Sequence, residues 1–183
     1  MATHLISNTP APDYTDDSRF ERIDGRWVER PVPVEKHADV QFAVAQILQQ
    51  KVSVLGGKAR PEWSLVDPAT PDQPRADYMI PDVVAALPPI RRANNGYLLP
   101  PAFLAVEIRS PNQSGLIQKA ERYISWGIEH VWIIDPDSRE CLEYHGGNTI
   151  IIARDALHAG DIAVSIEEIF AGIDSSVSPE TPS

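Results

Sequence analysis

Cysteine occurs once in this chain of 183 residues, at Cys141. Neither a disulfide framework nor a cysteine-rich zinc site can be built from one thiol, and a reducing cytoplasm is the expected location. Positive charge is scarce too: 16 Lys and Arg stand against 26 Asp and Glu, a formal net charge of −10. That excludes a passive coat on nucleic acid, which needs a basic field over its surface. An enzyme that meets a phosphate polymer through a local patch or a bound cation stays open, because net charge averages over the whole surface. Long apolar runs are missing as well. None approaches the roughly 20 residues a membrane helix needs, and the opening MATHLISNTPAPDYTDDSR has no sustained apolar core of a secretory leader.

What is present is an ordinary globular balance, 43% hydrophobic and 23% charged, in a length that suits one domain. Residues 1–17, rich in Thr, Pro, Asp and Ser, are expected to be a flexible arm. Residues 18–171 form the single domain and 172–183 a disordered Ser/Pro/Glu-rich tail. Phe20 to Arg30 reads as a hairpin around Asp24-Gly25, ended by Pro31 and Pro33. Glu35 to Gln50 predicts an amphipathic helix through Val40, Ala43, Val44, Ile47 and Leu48. Strands are predicted over Glu62–Val66 and over Asp77–Leu87, where Pro81 argues for an edge position or a bulge. A long loop fills Pro88–Pro101. After a central strand, Ser114 can cap a helix from Gly115 to Trp126, stopped by Gly127. Strands at His130–Ile134, Glu140–His145, Thr149–Ala153 and Asp161–Val164, then a turn at Ile166–Phe170, complete the expectation.

The chemistry concentrates in the central strand. Leu104, Val106 and Ile108 alternate with Phe103, Ala105, Glu107 and Arg109, so a carboxylate lies inside an apolar run. Such a charge is costly to bury without a partner or a metal. Asp82 is embedded in the same way, in IPDVVAA. Two strand-borne carboxylates of this kind can converge on one hard cation, since Mg²⁺ takes oxygen ligands from one or two carboxylates plus water and phosphate. Arg109 shares a face with Glu107, Lys119 lies beside the buried stripe of the next helix, and Glu29 could add a further acid. Blander readings stand beside these. Glu107 could pair with Arg109 or Arg122, Asp82 could be solvated, and Glu29 could belong to an exposed hairpin. His37, His130 and His145 lack zinc-ligand spacing and read as structural or solvent-facing. Trp126, Trp132 and Tyr123 read as core, and Arg91-Arg92 as a solvated loop pair.

Taken in order, IDGRWVER…H, PDVV, LAVEIRSP and KAERYISWGIEHVWIIDP resemble one branch of the PD-(D/E)XK nuclease superfamily, the Uma-type restriction-endonuclease family. The resemblance covers most of residues 20 to 170. It implies an α/β (α+β), restriction-endonuclease-like mixed sheet flanked by helices. It also implies Mg²⁺ or Mn²⁺ held by Asp82 and Glu107, with the Ile108 carbonyl as a further ligand, and hydrolysis of DNA phosphodiester bonds. In this branch a lysine from the next helix replaces the one that usually follows the glutamate by two, and Lys119 occupies that place. Arg109 departs from the pattern, where an aliphatic residue is usual. Arginine stays charged and cannot act as a base, but it could stabilise a phosphate or pair with a carboxylate. A homodimer is plausible because cutting both strands of a duplex asks for two symmetric sites. The alternatives are a catalytically silent interaction domain on the same scaffold and a nuclease acting on RNA.

Overall fold

In the computed structural model of the protein, residues 19–111, 113–145, 149–171 and 173 are described. The arm expected over residues 1–17 and nearly all of the tail expected over 172–183 lie outside them.

The hairpin forms as its turn dipeptide predicts. β1 (Phe20–Ile23) and β2 (Arg26–Glu29) pair antiparallel, and Asp24 and Gly25 both have positive φ, 52° and 74°. Those values suit a two-residue turn that follows the twist of its strands. After the proline-rich exit comes α1 (Glu35–Ser53), which buries Val40, Val44, Leu48 and Val52 on one face. The next strands are β3 (Lys58–Pro61), a stretch without a sequence signal, and β4 (Leu65–Val66), a remnant of the one predicted over Glu62–Val66.

Proline 81 marks neither an edge strand nor a bulge. The strand predicted over Asp77–Leu87 is two: β5 (Tyr78–Met79) and β6 (Val83–Ala86). β5 joins a small sheet of order β2-β1-β5-β4, while β6 is an interior strand of the main sheet. Proline has no N–H to give a ladder, so the chain changes sheets there. Asp82 lies just outside β6, where its carbonyl accepts Glu62 N–H at 3.2 Å and its side chain turns toward the neighbouring β7.

The second half runs β7 (Leu104–Ile108), α2 (Leu116–Ser125), β8 (His130–Ile134), β9 (Cys141–Tyr144), β10 (Ile150–Ala153), β11 (Ala156–Ala159), β12 (Ile162–Ser165) and α3 (Ile166–Phe170). The main sheet has the order β10-β9-β8-β7-β6-β3. Only β7 and β8 pair parallel, joined through α2, so the sheet is mixed as expected. α2 starts one residue later than predicted, with Gly115 at its N-cap in a left-handed conformation (φ 84°) in place of Ser114. It stops at Gly127 (φ 90°): Ile128 N–H reaches Tyr123 O and Gly127 N–H reaches Ile124 O, and Ile128 is buried behind them.

Helices cover both faces of β7. Leu104, Val106 and Ile108 share a core cluster with Val44 and Leu48 of α1, and Ala105 shares one with Ala120 and Tyr123 of α2. Each of these buried Val, Leu and Ile side chains stabilises the fold by roughly 1.5–3 kcal/mol. Phe103, expected on the face of Glu107, joins the α1 cluster because it precedes the strand and escapes its alternation. No helix among the described residues is long and apolar enough to cross a membrane.

Candidate active site

Register brings the two acids together. Val83 pairs with Val106 in the antiparallel β6–β7 ladder, so one further step sets Asp82 opposite Glu107. Same-face neighbours across such a pair have Cβ atoms about 4.5–5.5 Å apart. Both are nearly sealed from solvent, Asp82 at 5% and Glu107 at 2% exposure. Buried carboxylates need partners, and each has a distinct set.

Glu107 is held from α2. Tyr123 OH donates to its Oε1 at 2.6 Å, and Lys119 Nζ lies 2.9 Å from Oε1 and 3.1 Å from Oε2. Lys119 and Tyr123 are four residues apart, hence on one helix face. The same ammonium lies 2.8 Å from Oε1 of Glu21, a third buried carboxylate, which also accepts Ile80 N–H at 2.6 Å. Asp82 is held differently. Its Oδ2 accepts Ile108 N–H at 2.6 Å, and its Oδ1 faces His37 Nε2 at 3.3 Å and Arg30 Nη2 at 3.4 Å.

The electrostatics follow from three anions in a dry place. Burial pushes the Glu107 carboxyl up to about 7; Lys119 opposes the rise, Asp82 and Glu21 add to it, and the Tyr123 hydrogen bond resists it. For Lys119, burial alone would weaken the ammonium, but Glu107, Glu21 and Asp82 outweigh it and hold the charge more firmly than an ordinary lysine does. Burial and the same carboxylates keep the Tyr123 phenol protonated. Glu21, Asp82 and Glu107 thus share two cations, Lys119 and Arg30, and negative charge is in surplus. Tyr123→Phe removes the hydroxyl that spreads this charge. It is expected to cost about 1–3 kcal/mol, seen as a lower urea midpoint with an unchanged slope; an unchanged midpoint would show that the bond contributes nothing.

A divalent cation fits this donor set. The side-chain groups of Asp82 and Glu107 offer only oxygens, the charge surplus is negative, and the two are cross-strand neighbours. Among the described residues no group of three or more His, Cys, Asp or Glu could by itself hold an ion. An ion here would therefore draw on two carboxylates and complete its shell from backbone, water and substrate, as Mg²⁺ commonly does.

The acids line a cleft of about 980 Å³ whose walls also include Arg19, Trp27, Arg30, Val32 and Gln118. Of the residues singled out from sequence, Asp82, Glu107, Ile108 and Lys119 meet here. Glu29 does not join them: it is exposed at the end of β2, on the rim. The hairpin's buried acid is Glu21, on the facing strand, opposite Val28. Arg109 also turns away. Its N–H donates to Ile134 O, and its Nε lies 3.5 Å from Asp135 Oδ2, beyond β8 and outside the cleft lining. Arg122 pairs with Asp24, and Arg92 stacks over Trp63. Tyr123, read as core, is buried and yet binds Glu107. His37, read as structural or solvent-facing, touches Asp82. No local signal separates Glu21 from Glu29, whereas His37 at the mouth of a helix following the hairpin was visible.

A mixed sheet between helices, with two acids meeting across adjacent strands, defines a restriction-endonuclease-like nuclease fold. The profile of the Uma2 family, described as "Putative restriction endonuclease", matches residues 10–178, and the chain belongs to that family. It is similar to a crystal structure from Anabaena variabilis ATCC 29413, described as a "putative nuclease belonging to DUF820", at 23% identity and a TM-score of 0.66. That match covers 83% of this chain and 89% of the other, and shows a shared fold. A cryo-EM structure of a DrdV–DNA complex matches with a TM-score of 0.37 and 12% identity, over 79% of this chain and 12% of that one. No curated protein matches the chain.

Proposed function

We propose that this protein is a metal-dependent endonuclease that hydrolyses DNA phosphodiester bonds. The observation that carries the proposal is the buried Asp82–Glu107 neighbourhood with Lys119 beside it, in a chain of a restriction-endonuclease family. Asp82, Glu107 and the Ile108 carbonyl would hold Mg²⁺ or Mn²⁺. When bound, such an ion polarises a phosphoryl oxygen and makes a water nucleophilic at neutral pH.

The chain's own residues do the rest. Lys119 presents an ammonium whose charge its carboxylate neighbours secure, suited to the charge that grows on phosphate oxygens. Tyr123 and Lys119 fix the Glu107 carboxylate in place, and Ile108 N–H fixes that of Asp82. Burial keeps bulk water away from the reacting centre, which strengthens each of these interactions. Arg19 and Arg26 also line the cleft and would meet the sugar–phosphate backbone from its walls. Cutting both strands of a duplex would take two copies related by a two-fold axis, and the single buried thiol of Cys141 suits a reducing cytoplasm.

The test pairs binding with cleavage. Supercoiled plasmid is expected to be nicked with Mg²⁺ or Mn²⁺ and not with EDTA, and an RNA substrate run in parallel decides between the nucleic acids. Mn²⁺ at about 100 times its dissociation constant should stabilise the wild type by about 2.7 kcal/mol. Asp82→Asn should lose that stabilisation. A wild type that neither nicks DNA nor responds to divalent cations would instead be the silent interaction domain. The specific observation favouring that second reading is that Lys119 already bridges Glu21 and Glu107.

A further inference from the structure

Asp82 sits beside the switch between sheets, one residue before β6, which raises a mechanical question: what holds this residue still? Its neighbours on the N-terminal side have left for another sheet, and β6 begins only at Val83. A carboxylate that is to share an ion with Glu107 has to be fixed to within a fraction of an ångström. Ile108 N–H restrains Oδ2, and Arg30 Nη2, at the mouth of the hairpin, reaches Oδ1 at 3.4 Å.

The answer lies on α1. His37 and Gln41 are one helical turn apart, so they project from the same face. Gln41 Nε2 donates to the main-chain carbonyl of Asp82 at 2.9 Å, beside Glu62 N–H at 3.2 Å. His37 Nε2 faces the Asp82 carboxylate, and its Nδ1 lies 3.2 Å from Ser110 Oγ, just beyond the end of β7. The imidazole is 6% exposed and Ser110 2%. With the ring hydrogen on Nε2, directed at Asp82, Nδ1 is left to accept from the Ser110 hydroxyl. One ring then ties the residue at the sheet switch to the exit of the strand that carries Glu107. Two side chains of one helix grip Asp82 at its backbone and at its carboxylate.

We propose that His37 and Gln41 are positioning residues: α1 adds restraints at the switch between sheets that follows Pro81, and so sets the Asp82 carboxylate against Glu107. The inference rests on the metal-nuclease reading of the site. Groups that orient a metal ligand commonly change affinity by about 10–100-fold when removed. Packing alone would leave affinity unchanged.

Titration calorimetry of the full chain with Mn²⁺ alone tests this, with melting temperature as the fold control. His37→Ala is expected to bind Mn²⁺ about 10–100-fold more weakly. Glutamine's amide nitrogen reaches the place of Nε2 and asparagine's only that of Nδ1. His37→Gln should therefore restore affinity to within about 3-fold of wild type, and His37→Asn should not. If His37→Ala fails to fold, Gln41→Leu, at a partly exposed site, reads the backbone half of the grip and should weaken Mn²⁺ several-fold. Wild-type affinity in His37→Ala, or equal rescue by Asn and Gln, overturns the positioning role and leaves the nuclease reading standing. A wild type that takes up no Mn²⁺ overturns the reading, and the inference with it.

Discussion

Glu107→Gln is expected to abolish plasmid nicking, by at least about 100-fold, while leaving the protein folded and no less stable at pH 8. The loss of activity follows from removing one of two carboxylates that serve the ion. The retained stability follows from the cost of carrying charge where Glu107 lies. Its side chain is 2% exposed, and burial raises its pKa from an ordinary 4.5 to about 7. A carboxylate raised in this way costs stability above its unfolded value, the cost growing up to the folded value and constant beyond it. Glutamine has the same shape, keeps a carbonyl for the Tyr123 hydroxyl and carries no charge. In EDTA the variant should therefore melt at or above the wild type at pH 8, with the gap closing as the pH falls toward 4.5. Nicking that survives the change would remove Glu107 from the site. A variant that melts lower at pH 8 would show that Lys119 and Tyr123 already outweigh the cost of burial.

Parts of this site were legible in sequence because they rest on local pattern. The alternation of LAVEI puts Glu107 on the α2 face, and α2 carries Lys119 on the same side as its buried stripe. The adjacency of Asp82 and Glu107 was not local. It depends on β6 and β7 being neighbours in antiparallel register, which no single strand encodes. Pro81 is ambiguous in sequence for a related reason. A missing N–H says that a ladder stops, not whether the strand lies at an edge or the chain leaves for a second sheet. The hairpin offers two acids, Glu21 and Glu29, and the buried one is Glu21. Glu21 and Glu29 lie on strands whose buried face is set by packing against β5, a contact far off in sequence. Arg109 failed on geometry. β7 ends at Ile108, so the alternation that would have kept Arg109 beside Glu107 no longer applies, and Asp135 captures the guanidinium. Lys119 could be ranked above an ordinary surface lysine only through family resemblance.

Lys119 also carries the second large expectation, which separates its structural work from its chemical work. Its ammonium is the cation nearest to Glu107 and Glu21, at 2.9 and 2.8 Å, and both of those carboxylates are buried. Removing one partner of such a network leaves the others charged and uncompensated, and costs about 3–5 kcal/mol. Lys119→Ala should lose that much in urea unfolding, together with nicking. If the loss comes from stranded anions, withdrawing an anion should return part of it. Lys119→Ala combined with Glu21→Gln should be more stable than Lys119→Ala alone, with a coupling of about 1–3 kcal/mol in the double-mutant cycle. Activity should not return with stability, because neutralising Glu21 supplies no charge for the phosphate. Mn²⁺ should stabilise Lys119→Ala more than it stabilises the wild type, since the ion then supplies the counter-charge that the ammonium gave. A Lys119→Ala protein as stable as wild type would mean that the buried carboxylates do not need the ammonium, and that the lysine does not hold the charge of this site.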